Sequence, residues 1–317
     1  MLSKTTLGDT DIHVTKLGFG GLVMGPLQAN MKPEDGAKVI RYALEQGISF
    51  IDTAHVYKTY EHIRRAKLGW DKELIIATKT RALDYKTAEE HIQIALQALD
   101  LERLDIMLLH AARAGGNVFQ ERAGAYQCLK DYKEKGIIKA IGISTHNVNT
   151  VKVAGNQDGI DIIHPLINMA GTGILGGTTD DMASAIKEAS EKGKGVYAMK
   201  ALAGGSLLNR IDEAFEFILN LEGIDAVVVG MISEAEVDIN CRIFKGEPLS
   251  KEQCSIATRE KHLKIVEAYC KGCGECVDAC PNGALSIIGE KCSVDRSKCI
   301  LCGYCTPYCP EFAIRVI

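Results

Sequence analysis

Two cysteine runs near the C-terminus constrain this chain more than anything else in it. They are Cys270-x2-Cys273-x2-Cys276-x3-Cys280-Pro281 and Cys299-x2-Cys302-x2-Cys305-x3-Cys309-Pro310. The second repeats the first at an offset of 29 residues, and the two hold eight of the twelve cysteines. The flanks repeat too: Ala284-Leu285-Ser286-Ile287 lines up with Ala313-Ile314-Arg315-Val316, a strand-like alternation in each half. Soft thiolates are the ligands of iron–sulfur clusters. Zinc pairs come as separated Cys-x2-Cys knuckles rather than triplets closed by Cys-Pro. A disulfide framework needs an oxidising compartment, and the N-terminus shows no signal-peptide pattern. The spacing therefore points to iron and sulfide.

Over residues 268–317 the chain resembles the bacterial two-cluster ferredoxins, whose cysteine spacing it shares. The resemblance implies a small α+β domain holding two [4Fe-4S] clusters, in which the fourth cysteine of each run reaches the other cluster. One cluster would take Cys270, Cys273, Cys276 and Cys309, and the other Cys299, Cys302, Cys305 and Cys280. Cys128, Cys241, Cys254 and Cys292 lie outside the runs and read as buried, inert thiols.

The ferredoxin-like end uses only the last fifty or so of 317 residues, which leaves room upstream for one larger domain; an α/β barrel takes about 250. After an N-terminal hairpin, short apolar runs alternate with amphipathic stretches. The runs are Leu17–Gly20, Ser49–Asp52, Leu74–Thr78, Asp105–Leu109, Ala140–Ser144, Ile160–Pro165, Val196–Met199 and Ala226–Val229. Helix signals lie between them: Pro33 at a first helical position, Thr87-x2-Glu90 and Ser233-x2-Glu236 as capping boxes, and an apolar face of Ile92, Ala95, Leu96 and Leu99. Eight strand–helix units predict a (β/α)8 TIM barrel over 1–245. A polar connector follows over 246–267, with Glu260–Glu267 reading as a helix, and then the ferredoxin-like domain over 268–317. Gly18-Phe19-Gly20-Gly21 lacks the Rossmann spacing, and no Walker sequence occurs. A formal charge of −4 with interspersed signs gives no argument for nucleic acid or a membrane surface. No apolar run approaches the ~18 residues of a span. The expectation is a cytoplasmic protein of a cell that keeps its clusters from oxygen.

Reactive groups in such barrels gather where strands end. Asp52 and Tyr57, Lys79 and His110 stand at or just past the predicted ends of strands two, three and four. Singly each has an ordinary explanation, since a lysine after a strand is usually solvated and a loop tyrosine usually packs. As a set they resemble the tetrad of the aldo-keto reductases, with Asp52-x4-Tyr57, Thr78-Lys79 and Leu109-His110, and Glu61 fits that family's Tyr-x3-Glu. The resemblance covers residues 1–245. It implies that Tyr57 exchanges a proton with a carbonyl or alcohol oxygen, that Lys79 lowers the phenol's pKa, that Asp52 fixes Lys79, and that His110 orients the substrate oxygen. It also implies a nicotinamide dinucleotide, NAD(H) or NADP(H), as hydride donor or acceptor. Ser144 in Gly142-Ile143-Ser144-Thr145 fits the family's carboxamide contact, with Thr145 where asparagine is typical, and Asn240 matches the asparagine near the adenine. Glu234 and Glu236 replace the basic residues that grip a 2′-phosphate, which favours NAD(H). Lys200, in Met199-Lys200-Ala201-Leu202, is unusual at its strand end and is a candidate contact to substrate or to a cofactor phosphate, although solvation is the ordinary fate of such a lysine.

Nicotinamides move two electrons together, whereas each cluster passes one. A flavin is the usual converter, and barrels can hold one without a fingerprint. Three readings follow from the sequence. The barrel interconverts a small carbonyl and alcohol while the clusters exchange electrons with a ferredoxin or flavoprotein; or the barrel is a docking or flavin platform for an electron carrier; or an NAD(H)-dependent carbonyl reductase is braced by its clusters.

The duplicated run predicts about eight irons and eight acid-labile sulfides per chain after anaerobic preparation. Cys273→Ser should lose one cluster, halving the iron, and loosen the C-terminal domain because metal binding there is also folding energy. Cys292→Ser should leave the iron count unchanged. Iron analysis with EPR of the reduced protein checks both, and a zinc protein without visible absorption would refute the assignment.

Overall fold

The computed structural model describes residues 1–250, 253, 261–299 and 303–317. The chain opens with the antiparallel hairpin β1 (Lys4–Thr6) and β2 (His13–Thr15). Eight parallel strands follow: β3 (Leu17–Gly20), β4 (Phe50–Asp52), β5 (Ile75–Thr80), β6 (Leu104–His110), β7 (Ile138–Thr145), β8 (Ile162–Pro165), β9 (Gly195–Met199) and β10 (Ala226–Val229). They pair in sequence order, and β10 closes on β3 to form a barrel. Each overlaps one of the apolar runs read from the sequence.

The twofold period of a strand sorts side chains between two cores. Phe50, Ala77, Ile106, Leu108, Ala140, Ile162, Tyr197 and Val228 form the inner core, and Leu7, Ile12 and Val14 of the hairpin region pack into the same cluster. Ile51, Ile76, Met107, Leu109, Ile141, Ile163, Ala198 and Val227 face the helices in the outer core. Space inside is tight at β7: a Cβ on Gly142 would lie 1.9 Å from the Ile162 carbonyl oxygen, so only glycine fits.

Pro33 is the first residue of the helix Pro33–Glu45, as its sequence position implies. The helix Tyr85–Leu99 starts earlier than a Thr87 box would allow. Asp84 caps it, accepting from the Thr87 N–H at 2.9 Å and the Thr87 hydroxyl at 2.8 Å. Ser233 caps Glu234–Phe244 and accepts from the Glu236 N–H, but the Glu236 carboxylate accepts from Ile232 N rather than closing the box. A full capping box occurs instead at Thr178 and Asp181.

In the C-terminal domain, β11 (Leu263–Ile265) pairs antiparallel with β14 (Ile314–Val316), and β12 (Leu285–Ile288) with β13 (Lys291–Val294). Within Glu260–Glu267, read as a helix, the described residues contain β11. Its Leu-Lys-Ile alternation and long-range pairing with β14 override the local helical signal. Each repeat thus supplies a strand, a cysteine run and a strand, and the outer strands exchange partners. No helix among the described residues is long and apolar enough to cross a membrane. Cys254 lies outside the described residues.

Candidate active site

Alternation along the strands that places Phe50, Ala77 and Leu108 inward also places Asp52, Lys79 and His110 inward, two residues nearer the strand ends. Lys79 Nζ donates to Asp52 Oδ1 at 2.6 Å and to the Thr53 carbonyl at 2.8 Å. Both side chains are buried, with Lys79 only 1% exposed. The other carboxylate oxygen, Asp52 Oδ2, accepts from the Tyr197 hydroxyl at 2.9 Å. Tyr57 lies on a 3-10 turn, His55–Tyr57, just after β4. Its ring sits 4.9 Å from Lys79 Nζ and meets the His110 ring edge-on at 5.6 Å. Asp52, Tyr57, Lys79 and His110, chosen from sequence alone, are therefore brought together. Glu61 is not among them: it lies on the helix Tyr60–Ala66 and pairs with Arg64 and Arg65 at 2.8 and 2.7 Å.

The register extends the site sideways. His110 of β6 is level with Ser144 of β7, which is level with His164 of β8. His164 Nδ1 is 2.6 Å from the Tyr197 carbonyl oxygen, which can only accept, so the proton is on Nδ1. The His164 and Tyr197 rings stack at 4.0 Å.

Burial dominates the titration of the site. It holds the Tyr57 phenol well above its ordinary value, and the Asp52 charge adds to the rise; Arg81 and Arg315 oppose it. The lowering assigned to Lys79 is thus outweighed, because Lys79 is itself paired with Asp52 and burial of the phenol dominates. Burial lowers Lys79, with Asp52 acting in the opposite direction. Burial, reinforced by Lys79 and Arg81, holds His110 well below the usual imidazole range, so it is neutral at pH 7.

Tyr57, His110 and His164 line a cavity of about 610 Å³, within the ~300–1,000 Å³ typical of ligand pockets. Its far wall comes from the C-terminal domain: Tyr269, Glu311, Phe312, Arg315 and Val316 all line it. Arg113 of the barrel grips this wall, donating to the Pro310 carbonyl at 3.0 Å and pairing with Glu311 at 3.2 Å. Lys264 donates to the Gln28 carbonyl. Gly205, with φ +94°, lets the strand bearing Val316 close in, since a Cβ there would sit 2.7 Å from the Val316 Cβ.

The dinucleotide candidates fit unevenly. Asn240 lines the cavity; its amide donates to the Glu236 carbonyl at 2.7 Å and leaves a buried Oδ1 without a partner. The Ser144 hydroxyl is also buried and unpartnered, which suits a polar ligand group. Thr145 Oγ1 accepts from Asn147 N and serves its own loop. Lys200 lies in the cavity wall, 3.5 Å from His146 Nε2. Glu234 is exposed, while Glu236 is paired with Lys261 of the 246–267 segment, so the acidic character of this turn is half neutralised.

Cys270, Cys273, Cys276 and Cys309 line one small cavity, which brings the fourth cysteine of the second run to the first. Backbone N–H groups point at three ligand candidates: Gly272 and Cys292 at Cys270 Sγ, Ala284 at Cys280 Sγ, and Ala313 at Cys309 Sγ, over 3.1–3.4 Å. Such donors suit anionic, cluster-bound thiolates. Cys280, Cys299 and Cys305 belong to the same packed cluster, and Cys302 lies outside the described residues. No three His, Cys, Asp or Glu among the described residues are gathered closely enough to hold a metal ion; the ligands of a cubane stand further apart than those of one ion. Cys292 is buried 3.5 Å from Cys276 Sγ. Cys128 and Cys241 are buried on the helices Ala123–Glu134 and Glu234–Phe244, their thiols pushed up by burial to about 12 and 11, as expected of inert thiols.

Sequence reasoning missed His164, Tyr197, His146, Phe312 and Arg315. The strand-end rule that found His110 would have found His164 at the end of Ile160–Pro165. Tyr197 sits inside an apolar run and gave no sign. Arg315 could have been noticed, because Ser286 holds its place in the first repeat.

Known proteins agree with this architecture. The aldo/keto reductase family model matches residues 16–217, and the 4Fe-4S binding domain model matches 263–286 and 293–315. The Glycine max protein named "Probable aldo-keto reductase 1" is 28% identical over 181 residues, 52% of this chain and 49% of that one. Methylglyoxal reductase DkgA of Escherichia coli (strain K12) is 25% identical over 178 residues, 53% of this chain and 64% of its own length. The chain thus spans about half to two thirds of these curated relatives. Among solved structures, aldo-keto reductase AKR11C1 from Bacillus halodurans superposes with a TM-score of 0.66 at 21% identity, covering 81% of this chain and 95% of that one. That likeness establishes the barrel fold.

Burial holds His164 at about 4 against its ordinary 6.5. Between those values the unfolded chain binds the extra proton, so stability falls as pH drops from 6.5 to 4 and is unaffected above 6.5. The slope is about 1.4 kcal/mol per pH unit for one such group. His164→Gln should flatten the pH dependence of urea unfolding by that amount in that window. Parallel curves for variant and parent would contradict the burial argument.

Proposed function

The chain belongs to the aldo/keto reductase family, and we propose that it is an oxidoreductase interconverting a small carbonyl compound and its alcohol, while its C-terminal clusters exchange electrons with a partner protein. The observation carrying this reading is the gathering of Asp52, Tyr57 and His110 on one cavity wall, with Lys79 4.9 Å from the Tyr57 ring. Burial keeps Tyr57 protonated, so its proton is in place for a carbonyl oxygen. In the reverse direction the phenolate is favoured by the cations around it, Arg81 and Arg315. Neutral His110 has an N–H to orient the substrate oxygen. Asp52 holds Lys79 in place, and removing either partner of such a buried pair costs roughly 3–5 kcal/mol.

A bound nicotinamide dinucleotide would supply or accept the hydride at the carbonyl carbon. Asn240 and Ser144 are the residues proposed to hold it, on the strength of their unpartnered buried oxygens. NAD(H) is proposed over NADP(H), because Lys261 is engaged by Glu236 and Glu234 stands exposed in the same turn. A flavin is the alternative that extraction and identification of any bound cofactor would separate. Two [4Fe-4S] clusters would pass single electrons, with a ferredoxin or flavoprotein as proposed partner in the cytoplasm. Participation is favoured over bracing by Phe312, which is three residues from Cys309 and lines the cavity beside Lys200. A substrate resembling that named for the Escherichia coli relative, a small carbonyl, suits a cavity partly closed by a second domain.

Tyr57→Phe removes only the transferable proton and should cut carbonyl reduction about 10²-fold or more. Fluorescence titration should show NADH binding unchanged by the substitution and tighter than NADPH. Equal turnover by variant and parent across a panel of aldehydes and ketones would overturn the proposal.

A further inference from the structure

Besides Arg113, Arg122 and Lys261, which have carboxylate neighbours, the cavity lined by Tyr57 and His110 carries three further cations, Arg81, Lys200 and Arg315. Lys200 follows β9 in the left-handed backbone region, with φ +62°. Arg315 comes from β14 of the C-terminal domain and is 5% exposed. Phe312 joins them: Lys200 Nζ and the Arg315 guanidinium carbon each lie 3.9 Å from its ring centroid. Among the described residues neither cation has a carboxylate partner. Arg315 donates to the adjacent Ile314 carbonyl at 2.8 Å, and Lys200 approaches only His146 Nε2 at 3.5 Å. Arg81 reaches the Tyr269 hydroxyl at 3.5 Å.

The carboxylates of the same cavity are committed elsewhere. Asp52 holds Lys79, Glu236 holds Lys261 and Glu311 holds Arg113, while Glu121 stands by Arg122. A buried cation without a counter-charge costs several kcal/mol. A cation–π contact returns about 0.5–2 kcal/mol, so one phenyl ring does not compensate two cations. Burial lowers both groups, Arg315 to about 9, with Tyr269, Cys309 and Tyr57 acting in the opposite direction on Arg315, and the Arg315 charge lowers Lys200 further. The positive field falls on the reacting end of the cavity. Arg315 acts on Tyr57, and Arg81 and Lys200 act on His110.

We propose that Lys200 and Arg315, spaced by Phe312, form an oxyanion-binding subsite built jointly by the barrel and the C-terminal domain, which takes a carboxylate or phosphate group beside the reacting carbonyl. The guanidinium fork suits either group. Two molecules can bring that chemistry: an acid group on the substrate, or the pyrophosphate of a dinucleotide. Nearness to Tyr57 and His110 favours the substrate, making it a keto or hydroxy acid or its phosphate counterpart. This substrate class rests on the carbonyl–alcohol reading of the Tyr57 site, whereas the oxyanion subsite itself does not.

Calorimetry on the full chain, prepared anaerobically with its clusters, tests the subsite without turnover. The probes are pyruvate; hydroxyacetone, its neutral analogue with a hydroxymethyl group for the carboxylate; inorganic pyrophosphate; and NADH. Pyruvate should bind more tightly than hydroxyacetone, and more so at low salt. Arg315→Gln and Lys200→Gln should each weaken pyruvate about tenfold or more and leave hydroxyacetone unchanged, with Arg315→Lys recovering part of the loss. If the dinucleotide supplies the anion, pyrophosphate and NADH weaken in both variants instead of pyruvate. Unchanged affinity for both anions, or equal losses for pyruvate and hydroxyacetone, would overturn the proposal. Visible cluster absorbance reports whether the C-terminal domain is intact, and Lys200→Gln, on the barrel side, gives the answer should Arg315→Gln lose its clusters. Anion binding that persists while Tyr57→Phe retains full turnover would separate failure of the catalytic reading from failure of this one.

Discussion

The buried pair between Lys79 and Asp52 organises the barrel's reactive end. An ammonium and a carboxylate can stay charged in a dry interior only with close geometry and further hydrogen bonds. Here the 2.6 Å contact is supplemented by the Thr53 carbonyl on one side and the Tyr197 hydroxyl on the other. Three strands, β4, β5 and β9, are tied together by these bonds, and Tyr57 packs on the ammonium they fix. His164 is drawn in through Tyr197, whose carbonyl sets its tautomer. The gathering of Tyr57, His164 and Tyr197 around Asp52 and Lys79 follows from satisfying one buried ion pair.

Around this centre the C-terminal domain acts as a wall rather than an appendage. Its sequence repeat is close to twofold, yet the two halves meet different surroundings. Ser286 is exposed in the first repeat, whereas Arg315, its counterpart, is buried against the barrel. Phe312 sits in the same segment, packed between Lys200 and Arg315 and three residues from Cys309. Small residues in the barrel's last loops permit the approach: a Cβ on Gly173 would clash with the Phe312 ring at 2.5 Å, and one on Gly205 with Val316. One side of the duplicated 4Fe-4S domain thus forms a wall of the barrel pocket.

Much of this was legible in the sequence because two strong periodicities carry it. Short apolar runs alternating with amphipathic stretches located all eight barrel strands, and polar residues at strand ends marked Asp52, Lys79 and His110. Cysteine spacing marked the second domain. What stayed hidden depends on neighbours far along the chain. Tyr197 looks like a core aromatic until its hydroxyl meets Asp52, 145 positions away. β11 reads as helix in isolation and becomes a strand because β14 pairs with it. Glu236 reads as a free carboxylate until Lys261 arrives. Lys79 reads as the group that acidifies Tyr57, and burial reverses the net effect.

Barrel pocket and C-terminal domain share one cavity wall through Phe312 and Arg315, so a change in the pocket is expected to reach the cluster ligated by Cys309. EPR spectra of the dithionite-reduced protein, recorded with and without saturating pyruvate or hydroxyacetone, test it most directly. Filling the pocket should change the field and packing around Cys309 and so shift the signal of the cluster it ligates, and Phe312→Ala should diminish that shift. Superimposable spectra, with calorimetry showing the pocket filled, would mean that pocket and clusters are uncoupled.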